Sequence, residues 1–465
     1  MRIIVIGSGK LGYQIAEALS REKYDLIVID SDNRVVEKAA DTLDVLAVYG
    51  NGLLAEPLGR LGLDKDDVVI AVTGSDESNI LACMSAKSLG AGRTIARIRG
   101  PEYTRGLAIS LNQLNIDYVL NPDLSTATEI KNLLAFAPAR RVETFVEGKV
   151  HMVEISVTDD NPLLGLSLKE YDFTGVLIAA IDRGGDITIP KGNDCLKVGD
   201  NIYVIGEVHE VAQFCRLAGK PSYKIKTVML VGGSRIADYL ARDLHDAAVR
   251  VKIIEKDAAR AKDLSLELPD ALVVHGDGTD LELLLAEDIA STDAFVALTG
   301  IDEENMVVSL LAKKLGVKKT VAKVNRKGYV SIAEEIGIDS VVTPGLISLS
   351  KILRLVRGGE VVSLILLLGG QGEVMEFFIS PSSHLAGRKI KELKFPKEAI
   401  ITTIVHQGQI IIPHGNDRLE AGDRVIVLTQ FEEAEQIREL FGTGERKTGR
   451  GLWDSIKNAW IFTDN

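Results

Sequence analysis

A glycine-rich segment near the start of the chain has the residue types and spacing that bind a phosphate group. Gly7, Gly9 and Gly12 form a G-x-G-x-x-G pattern directly after the apolar run RIIVI and before a helical pattern. In such a turn the first glycine permits a tight bend, the second lets backbone N–H groups approach a pyrophosphate, and the third lets the helix pack on the sheet. The segment predicts a dinucleotide-binding turn, with a purely structural strand-to-helix turn as the alternative.

An acidic residue stands where such a turn needs a partner for the ribose. Asp30 ends the second apolar run, DLIVID, about 20 residues after the glycines, which is the usual spacing. A carboxylate there accepts hydrogen bonds from both ribose hydroxyls and repels a 2′-phosphate, so NAD(H) is favoured over NADP(H). A solvated strand end or a helix cap is the alternative for this residue.

Further candidates lie at the predicted fourth strand and at the strand after it. Thr73 and Gly74 come directly after DVVIAV, and Arg97 lies in TIARIR. The carboxyl ends of parallel strands form the edge at which open α/β sheets bind ligands, so these residues are further candidates for ligand contact. The segment SDESN after Gly74 indicates a helix start, for which capping and ligand contact are both open. An exposed arginine is the alternative for Arg97.

The whole arrangement occurs twice in the chain. Gly232 in the run KTVMLVGGSRIA aligns with Gly7 in MRIIVIGSGKLG, and Glu255 aligns with Asp30. Further along, AVTGSDESN matches ALTGIDEEN, and IDRGGDITIPKGNDCLKVGD matches IVHQGQIIIPHGNDRLEAGD. Two copies of one unit therefore fill almost the whole chain, and the architecture is that of a duplication.

The second copy keeps the layout but changes the side chains at the turn. Ser234 stands where the first copy has Gly9, and Ala237 stands where it has Gly12, so each adds a Cβ in a crowded place. Glu255 retains the carboxylate. Nucleotide binding and a vestigial, purely structural role are both open for this copy.

Each copy has two parts with different periodicity. Short Val/Ile-rich runs first alternate with amphipathic stretches, which is typical of a parallel sheet covered by helices, and β-rich pieces with glycine-containing turns follow. The predicted fold class is α/β, with two tandem Rossmann-like parallel-sheet domains, each followed by a small β-rich α+β domain. The predicted segments are 1–123 (Rossmann-like), 140–222 (β-rich), 226–345 (Rossmann-like), 358–440 (β-rich) and an amphipathic tail, 441–465.

Composition excludes several classes of function. The chain has 465 residues with 66 acidic against 54 basic ones, a formal charge of −12, which is the wrong sign for nucleic-acid binding. Three cysteines without a CxxC spacing indicate a reducing cytosol, and the seven histidines show no metal-binding spacing. The apolar run VVSLILLL is far shorter than the ~20 residues that span a bilayer. The start MRIIVIG leaves no room for a signal peptide, so we expect a cytoplasmic protein. The histidine spacing leads us to expect no bound metal.

Groups for catalysis are not evident in the sequence. The β-rich parts offer no Lys, His or Asp set that could move a proton beside a nicotinamide, so we expect a protein that is not an enzyme. An NAD-dependent oxidoreductase is the alternative, prompted by the same glycines. The tail carries Trp453 and Trp460 in an amphipathic spacing, which a partner or a membrane surface could use; packing onto its own domain is the alternative.

The GSGKLG turn, Asp30, the TGSDESN segment, the β-rich part that follows and the duplication of the whole unit together resemble the TrkA family. Its members are cytosolic regulatory subunits of Trk-type potassium uptake systems, built from tandem RCK (also called KTN) units. The resemblance covers about residues 1–440. It implies that the units assemble into a ring beneath a membrane potassium transporter, and that nucleotide binding changes the shape of the ring and gates the pore. A regulator of another ion transporter would keep this mechanism and change the partner.

The resemblance also implies a ligand, partners and site residues. The ligand would be NAD(H), ATP or ADP. The partners would be a membrane potassium-translocating subunit and further copies of this chain, as a dimer or tetramer that forms a ring, with no nucleic acid. The chain would be attached peripherally to the inner face of the membrane. Ligand contacts in the first copy would come from Gly7, Ser8, Gly9, Lys10, Leu11, Asp30, Thr73, Gly74 and Arg97. Those in the second copy would come from Gly232, Gly233, Ser234, Arg235, Ile236, Glu255, Thr299, Gly300 and Lys323.

Overall fold

A computed structural model describes residues 1–21, 24–100, 103, 113–171, 174–221, 223–357, 361–367 and 371–442. The contacts divide the chain into two compact units. The first unit consists of Met1–Thr126 with Pro344–Val356, and the second consists of Ala127–Thr343 with the described residues from Arg357 onward. The predicted tail with Trp453 and Trp460 lies outside the described residues.

The described strands and helices follow the same order in both copies, apart from one helix, Lys327–Glu335, that is described only in the second copy. The first copy contains β1 (Arg2–Ile6), α1 (Lys10–Ser20), β2 (Asp25–Asp30), α2 (Asn33–Thr42), β3 (Leu46–Tyr49), α3 (Ala55–Gly59), β4 (Val68–Ala71), α4 (Asp76–Ser88), β5 (Arg93–Arg97), β6 (Tyr118–Leu120), α5 (Pro122–Ala135), β7 (Arg141–Phe145), β8 (Val150–Ser156), β9 (Val176–Arg183), β10 (Asp186–Thr188), β11 (Asn201–Glu207) and α6 (Val208–Leu217). The second copy contains β12 (Thr227–Val231), α7 (Arg235–Asp246), β13 (Arg250–Glu255), α8 (Ala258–Glu267), β14 (Leu272–His275), α9 (Leu281–Ala286), β15 (Ala294–Ala297), α10 (Asp302–Lys314), β16 (Lys319–Lys323), α11 (Lys327–Glu335), β17 (Ser340–Val342), α12 (Pro344–Arg357), β18 (Val361–Leu367), β19 (Gly372–Phe378), β20 (Ala399–His406), β21 (Gln409–Ile411), β22 (Arg424–Gln430) and α13 (Ala434–Phe441).

Each copy begins with a six-stranded parallel sheet. The strand orders are β3-β2-β1-β4-β5-β6 and β14-β13-β12-β15-β16-β17. The central strands are buried on both faces, as the continuous Val/Ile runs predict for a parallel sheet that helices cover. The strand order reverses between β1 and β4 and again between β12 and β15. At such a switch point the connections diverge to opposite sides and leave a crevice at the carboxyl ends of the strands.

A five-stranded antiparallel sheet follows each parallel sheet. The strand orders are β10-β9-β11-β8-β7 and β18-β19-β22-β20-β21. Their pairings are antiparallel throughout the described register. The predicted fold class, two Rossmann-like domains that alternate with small β-rich domains, is therefore confirmed.

The helix that follows each parallel sheet belongs by its contacts to the unit that holds the other copy's sheet. Ile130 and Leu133 of α5 lie in one buried cluster with Ile236 and Leu240 of α7, in the second unit. The α12 residues Pro344–Val356 belong to the first unit, which holds the sheet around β1. The apolar face of α12 is buried there, because a helix of this amphipathic type needs a core to cover its stripe.

The described part of the chain contains neither a helix suited to cross a membrane nor a metal-binding cluster. None of its helices combines the length and the apolar composition needed to cross a membrane. Within the same residues, no three His, Cys, Asp or Glu side chains come together as a metal-binding group.

Candidate functional site

The first and third glycines of the first-copy turn are required by the backbone itself. Gly7 has φ +92°, and its N–H donates to the Ile29 carbonyl at 2.9 Å. A Cβ added to Gly7 would lie 2.9 Å from the Thr73 backbone, and one added to Gly12 would lie 1.8 Å from the Gly7 carbonyl oxygen. The turn therefore packs against the end of β4, and α1 passes directly over it.

The second glycine leaves the start of α1 open. Gly9 precedes α1 without any side-chain cap, and a Cβ added to Gly9 would meet no atom within 4 Å. The first turn of α1 contains no acidic residue, and Lys10 is exposed beside it. The first N–H groups of a helix lack intrahelical partners and carry positive potential, so this end of α1 has the geometry that accepts an anion.

Asp30 braces the turn and retains hydrogen-bonding capacity. Its Oδ2 accepts the Ser8 N–H at 2.6 Å and its Oδ1 accepts the Asp32 N–H at 2.9 Å. Each carboxylate oxygen has a second lone pair, so both can still accept a ribose hydroxyl. Asp30 is half-buried at the carboxyl end of β2. The cap of α2 is provided by Asp32, not by Asp30.

A buried asparagine ties the ends of β4 and β5 together. The Asn79 side chain accepts from the Thr73 N–H at 2.7 Å and from the Thr73 hydroxyl at 2.8 Å, and its Nδ2 donates to the Arg97 carbonyl at 2.8 Å. Asn79 therefore holds Thr73 and Arg97 at the same sheet edge as Gly7. Gly74 is exposed there, with open space around its Cα.

The acidic residues that begin α4 are held by the protein. Asp76 is buried and accepts the Arg99 N–H at 2.8 Å, and the Ser75 hydroxyl caps the helix. Glu77 accepts from the Ser75 hydroxyl at 2.6 Å and from the Tyr103 hydroxyl, and these hydrogen bonds lower the pKa of Glu77 to about 2. Ser75 therefore caps α4, and contact of this segment with a ligand stays a prediction.

The second-copy turn has the same backbone with different side chains. Gly232 has φ +97°, and Glu255 accepts the Gly233 N–H at 2.5 Å and the Asp257 N–H at 2.7 Å. A Cβ added to Gly233 would lie 2.3 Å from Leu264 Cδ1 and 2.9 Å from the Glu255 carboxylate. Glutamate is one methylene longer than aspartate, so it makes the same brace only because the turn residue above it is glycine.

The start of α7 carries a side-chain cap that α1 lacks. The Ser234 hydroxyl accepts the Ala237 N–H at 3.4 Å, so one of the terminal N–H groups has an acceptor. Arg260 Nε donates to the Gly233 carbonyl at 3.1 Å. Arg235 is exposed and Ile236 is buried at the beginning of the helix.

An ion pair lies beyond the ends of β13 and β14. Lys256 Nζ is 2.6 Å from Asp277 Oδ2, and this hydrogen bond, with those from Thr279, lowers the pKa of Asp277 to about 2. The matching residues of the first copy, Ser31 and Asn51, carry no charge. The crevice of the second copy is therefore bordered by a charged pair that the first copy lacks.

The remaining second-copy candidates repeat the first-copy arrangement. Asn305 accepts the Thr299 N–H at 2.8 Å and donates to the Lys323 carbonyl at 2.9 Å. Lys323 Nζ donates to the Leu298 carbonyl at 3.3 Å, and Gly300 is exposed. Both asparagines occupy the same place in the matching segments TGSDESN and TGIDEEN, a signal that could have identified them as a pair.

Each set of predicted site residues collects at the carboxyl edge of its own sheet. The first set is Gly7, Ser8, Gly9, Lys10, Leu11, Asp30, Thr73, Gly74 and Arg97, at the ends of β1, β2, β4 and β5. The second set is Gly232, Gly233, Ser234, Arg235, Ile236, Glu255, Thr299, Gly300 and Lys323, at the ends of β12, β13, β15 and β16. Sequence reasoning missed Arg260 and the Lys256–Asp277 pair, for which the first copy offers no counterpart.

The order of the domains agrees with known proteins. The TrkA-N domain model matches residues 3–122 and 228–344, and the TrkA-C domain model matches residues 152–219 and 374–442. A Methanosarcina mazei protein named Trk system potassium uptake protein TrkA homolog 2 is 35% identical over 450 residues, which is 95% of this chain and 100% of that protein. The Trk system potassium uptake protein TrkA of Azorhizobium caulinodans is 31% identical over 452 residues, 95% of this chain and 98% of that protein.

A solved structure shares the fold. The structure described as GsuK channel bound to NAD superposes with a TM-score of 0.60 and 20% identity, over 95% of this chain and 78% of that one. Both domain types occur twice, and the relatives match almost from end to end. The chain therefore belongs to the TrkA family of Trk system potassium uptake proteins.

Proposed function

We propose that this chain is a nucleotide-binding regulatory subunit of a Trk-type potassium uptake system. The observation that carries the proposal is the open start of α1: an uncapped helix end beside Gly9, with no acidic residue in its first turn. Membership of the TrkA family and the names of the relatives support the potassium uptake system as the setting.

The ligand we propose for the first copy is NAD(H), ATP or ADP. Its phosphates would lie against the N–H groups at the start of α1, where Gly9 leaves room, with the exposed Lys10 nearby. A ribose would donate its hydroxyls to the free lone pairs of Asp30. The negative charge of Asp30 disfavours a 2′-phosphate, so NAD(H) would bind more tightly than NADP(H). The NAD-bound GsuK channel shows that a chain of this fold accommodates such a ligand.

We propose that the second copy binds nucleotide weakly or not at all. Its helix end is capped by the Ser234 hydroxyl, and the Gly233 carbonyl is held by Arg260. A phosphate at this edge would have to replace the Ser234 cap and fit beside the Lys256–Asp277 pair. The matching residues of the first copy are Gly9, Ser31 and Asn51, so a phosphate would bind there without this cost in free energy.

Binding would act by shifting a conformational equilibrium. A ligand can shift the balance between two states only if it binds them with different affinity. We propose that the chain forms a homo-oligomeric ring, attached peripherally to the inner face of the membrane through a potassium-translocating subunit. The ring would change shape with the bound nucleotide and gate that subunit, without chemical conversion of the nucleotide.

Calorimetric titration of the full chain with NAD, NADH, ATP and ADP tests the ligand. We expect binding to the wild type, loss of binding in Asp30→Ala, and retained binding in the matched second-copy variant Glu255→Ala. Thermal unfolding of both variants controls for the braces that each carboxylate provides. The absence of affinity for all four nucleotides in the wild type would sink the proposal.

The partner needs a separate experiment. The tagged chain is incubated with a membrane fraction with and without the nucleotide that binds, and the co-purified integral proteins are identified. A potassium-translocating subunit is the expected result. A different ion transporter would change the partner and keep the mechanism, whereas no membrane protein under any condition would contradict the regulatory role.

A further inference from the structure

The start of α12 contacts the helix that we propose receives the phosphates. Gly345 lies so close to Gln14 of α1 that a Cβ added to Gly345 would lie 2.6 Å from Gln14 Oε1. Gln14 is four residues after Lys10, so both lie on the same side of α1. A displacement of α1 on ligand binding would therefore reach the first turn of α12 through the Gln14 side chain.

Contacts within the first unit hold α12 along its length. Lys351 Nζ donates to the Ser125 hydroxyl at 2.7 Å, and Arg93 Nη1 donates to the Leu355 carbonyl near the helix end at 3.2 Å. Leu349 and Leu353 are among its buried side chains. A continuous helix held at its start, middle and end moves as one body, because its interior is close-packed and not freely deformable.

The last residue of α12 is clamped to the second β-rich domain. The Arg357 guanidinium makes a bidentate pair with Glu373 of β19, with N–O distances of 2.9 and 3.1 Å. The two side chains are 3% and 0% exposed. Arg438 of α13 adds a third contact to Glu373 at 3.2 Å. A buried bidentate pair is directional and costly to break, so it transmits a displacement of the helix end to β19.

The first β-rich domain has no such clamp at the matching place. The residue at the position of Glu373, the second of β8, is His151. The helix that leads toward β8 is α5, and its residues from Ala127 onward belong to the second unit. In the first unit α1 is therefore contacted by α12, which continues along the chain into the second β-rich domain. The first β-rich domain instead follows α5.

We propose that α12 transmits the ligand state of the first-copy sheet edge to the second β-rich domain, with the Arg357–Glu373–Arg438 cluster as the clamp. This crossed coupling rests on the proposed function, because it takes the first edge to be the nucleotide site. The route is Gly9 and α1, then Gln14 and Gly345, then α12, and finally Arg357 and β19. Coupling through such a route is a difference in free energy between two states of the whole chain.

Hydrogen exchange on the full-length wild type tests the route. Amide exchange is compared with and without saturating NAD, and separately with ADP, at concentrations set by calorimetry. We expect the nucleotide-dependent change in β18, β19 and α13 to exceed that in β8, β9 and β11. This comparison needs no variant, so it is decided even if a clamp variant fails to fold.

Arg357→Lys isolates the clamp. Lysine keeps the charge and loses the bidentate geometry. We expect this variant still to bind NAD, with a response in β18 and β19 reduced about fivefold or more, the lower range of typical allosteric couplings. Arg438→Lys is the matched control, since it touches the same carboxylate through one contact, and it should keep most of the response.

The outcomes separate the two proposals. If none of NAD, NADH, ATP and ADP binds the wild type, the proposed function fails and the coupling falls with it. If a nucleotide binds and the second β-rich domain shows no larger change than the first, the coupling is wrong and the proposed function stands. An Arg357→Lys response equal to that of the wild type also overturns the clamp.

Discussion

The first helices of the two parallel sheets begin with the same backbone turn, but only the second has a side-chain cap. Before α1, Gly9 offers no cap, and the space beside it is open. Before α7, the Ser234 hydroxyl accepts the Ala237 N–H. The positive φ at Gly7 and Gly232 fixes the turn in both copies. From this comparison we infer that a few side chains at the helix start, and not the fold, set the affinity of this edge for an anion.

The two braces show how one turn accommodates different side chains. In the first copy a short carboxylate, Asp30, supports a turn residue with a side chain, Ser8. In the second copy a longer carboxylate, Glu255, supports Gly233, which has no room for a Cβ. The total volume is similar, so each pair fits its own copy. Exchanging one member alone would produce either a clash or a gap.

Gly9→Asp should have the largest effect on the difference in nucleotide affinity between the two copies. A carboxylate at this position would face the phosphates, so we expect the affinity of the first site to fall about 100-fold or more, since placing like charges side by side costs several kcal/mol. The fold should survive, because a Cβ at Gly9 meets no atom within 4 Å. Calorimetry measures the loss.

The matched variant for this experiment is Ser234→Asp in the second copy. Aspartate is also a good N-cap, so it should preserve both the fold and the first-site affinity. Equal losses in the two variants would contradict the assignment of binding to the first edge.

Gly12→Ala tests the close passage of α1 over the turn. The added Cβ would lie 1.8 Å from the Gly7 carbonyl oxygen, so α1 must shift, with a loss of stability of roughly 2 kcal/mol, as for overpacking elsewhere. The reverse change in the second copy, Ala237→Gly, should cost at most about 1 kcal/mol through helix propensity. Denaturant unfolding of both variants gives the ranking, and a larger loss for Ala237→Gly would contradict it.

Lys319 and Arg93 occupy matching positions in the two copies, but only the lysine loses its proton near pH 8. Each donates to a backbone carbonyl in its own unit, Lys319 to Ala139 and Arg93 to Leu355. Burial lowers the pKa of Lys319 to about 8, whereas an arginine stays protonated. The unfolded chain, with a lysine pKa near ~10.4, binds more protons in this window, so stability should rise from pH 8 to about pH 10 by up to ~1.4 kcal/mol per pH unit.

The pH dependence of unfolding checks this expectation. Lys319→Met should remove the rise, whatever it does to stability at neutral pH. Arg93→Met should leave the rise in place. A slope that persists in Lys319→Met would assign it to another group.

Ser234→Gly should have the smallest effect on stability. It tests whether the serine cap alone prevents nucleotide binding at the second edge. Replacing a serine cap by glycine costs only a few tenths of a kcal/mol. It removes the acceptor that competes with a phosphate at the start of α7. We expect a measurable gain in nucleotide binding at the second edge, detected as increased stoichiometry in Gly9→Asp/Ser234→Gly. No gain would mean that Arg260 or the Lys256–Asp277 pair closes this edge.

The repeat, the two parallel sheets and the antiparallel sheets could be predicted because their signals are local. Alternation of apolar residues specifies each strand, and the spacing from Gly7 to Asp30 specifies the first strand-to-helix turn. The sequence also indicated that Ser234 and Ala237 alter the second edge. The precise domain boundaries and the roles of the site residues in binding stay predictions.

The placement of α5 and α12 could not be predicted from local signals. An amphipathic stripe shows that a helix must be covered, and it does not say which sheet covers it. The same limit applies to Asn79, whose buried amide joins two strand ends that are distant in sequence. Arg260 was missed for a related reason: its contact with the Gly233 carbonyl depends on the direction of one side chain.

The number of nucleotides bound per chain tests the central claim most directly. Calorimetric titration of the full chain with NAD and with ADP gives this number together with the affinity. The open first edge and the closed second edge predict one tight site per chain. Two equivalent sites, or one site whose affinity is unchanged in Gly9→Asp, would contradict the account.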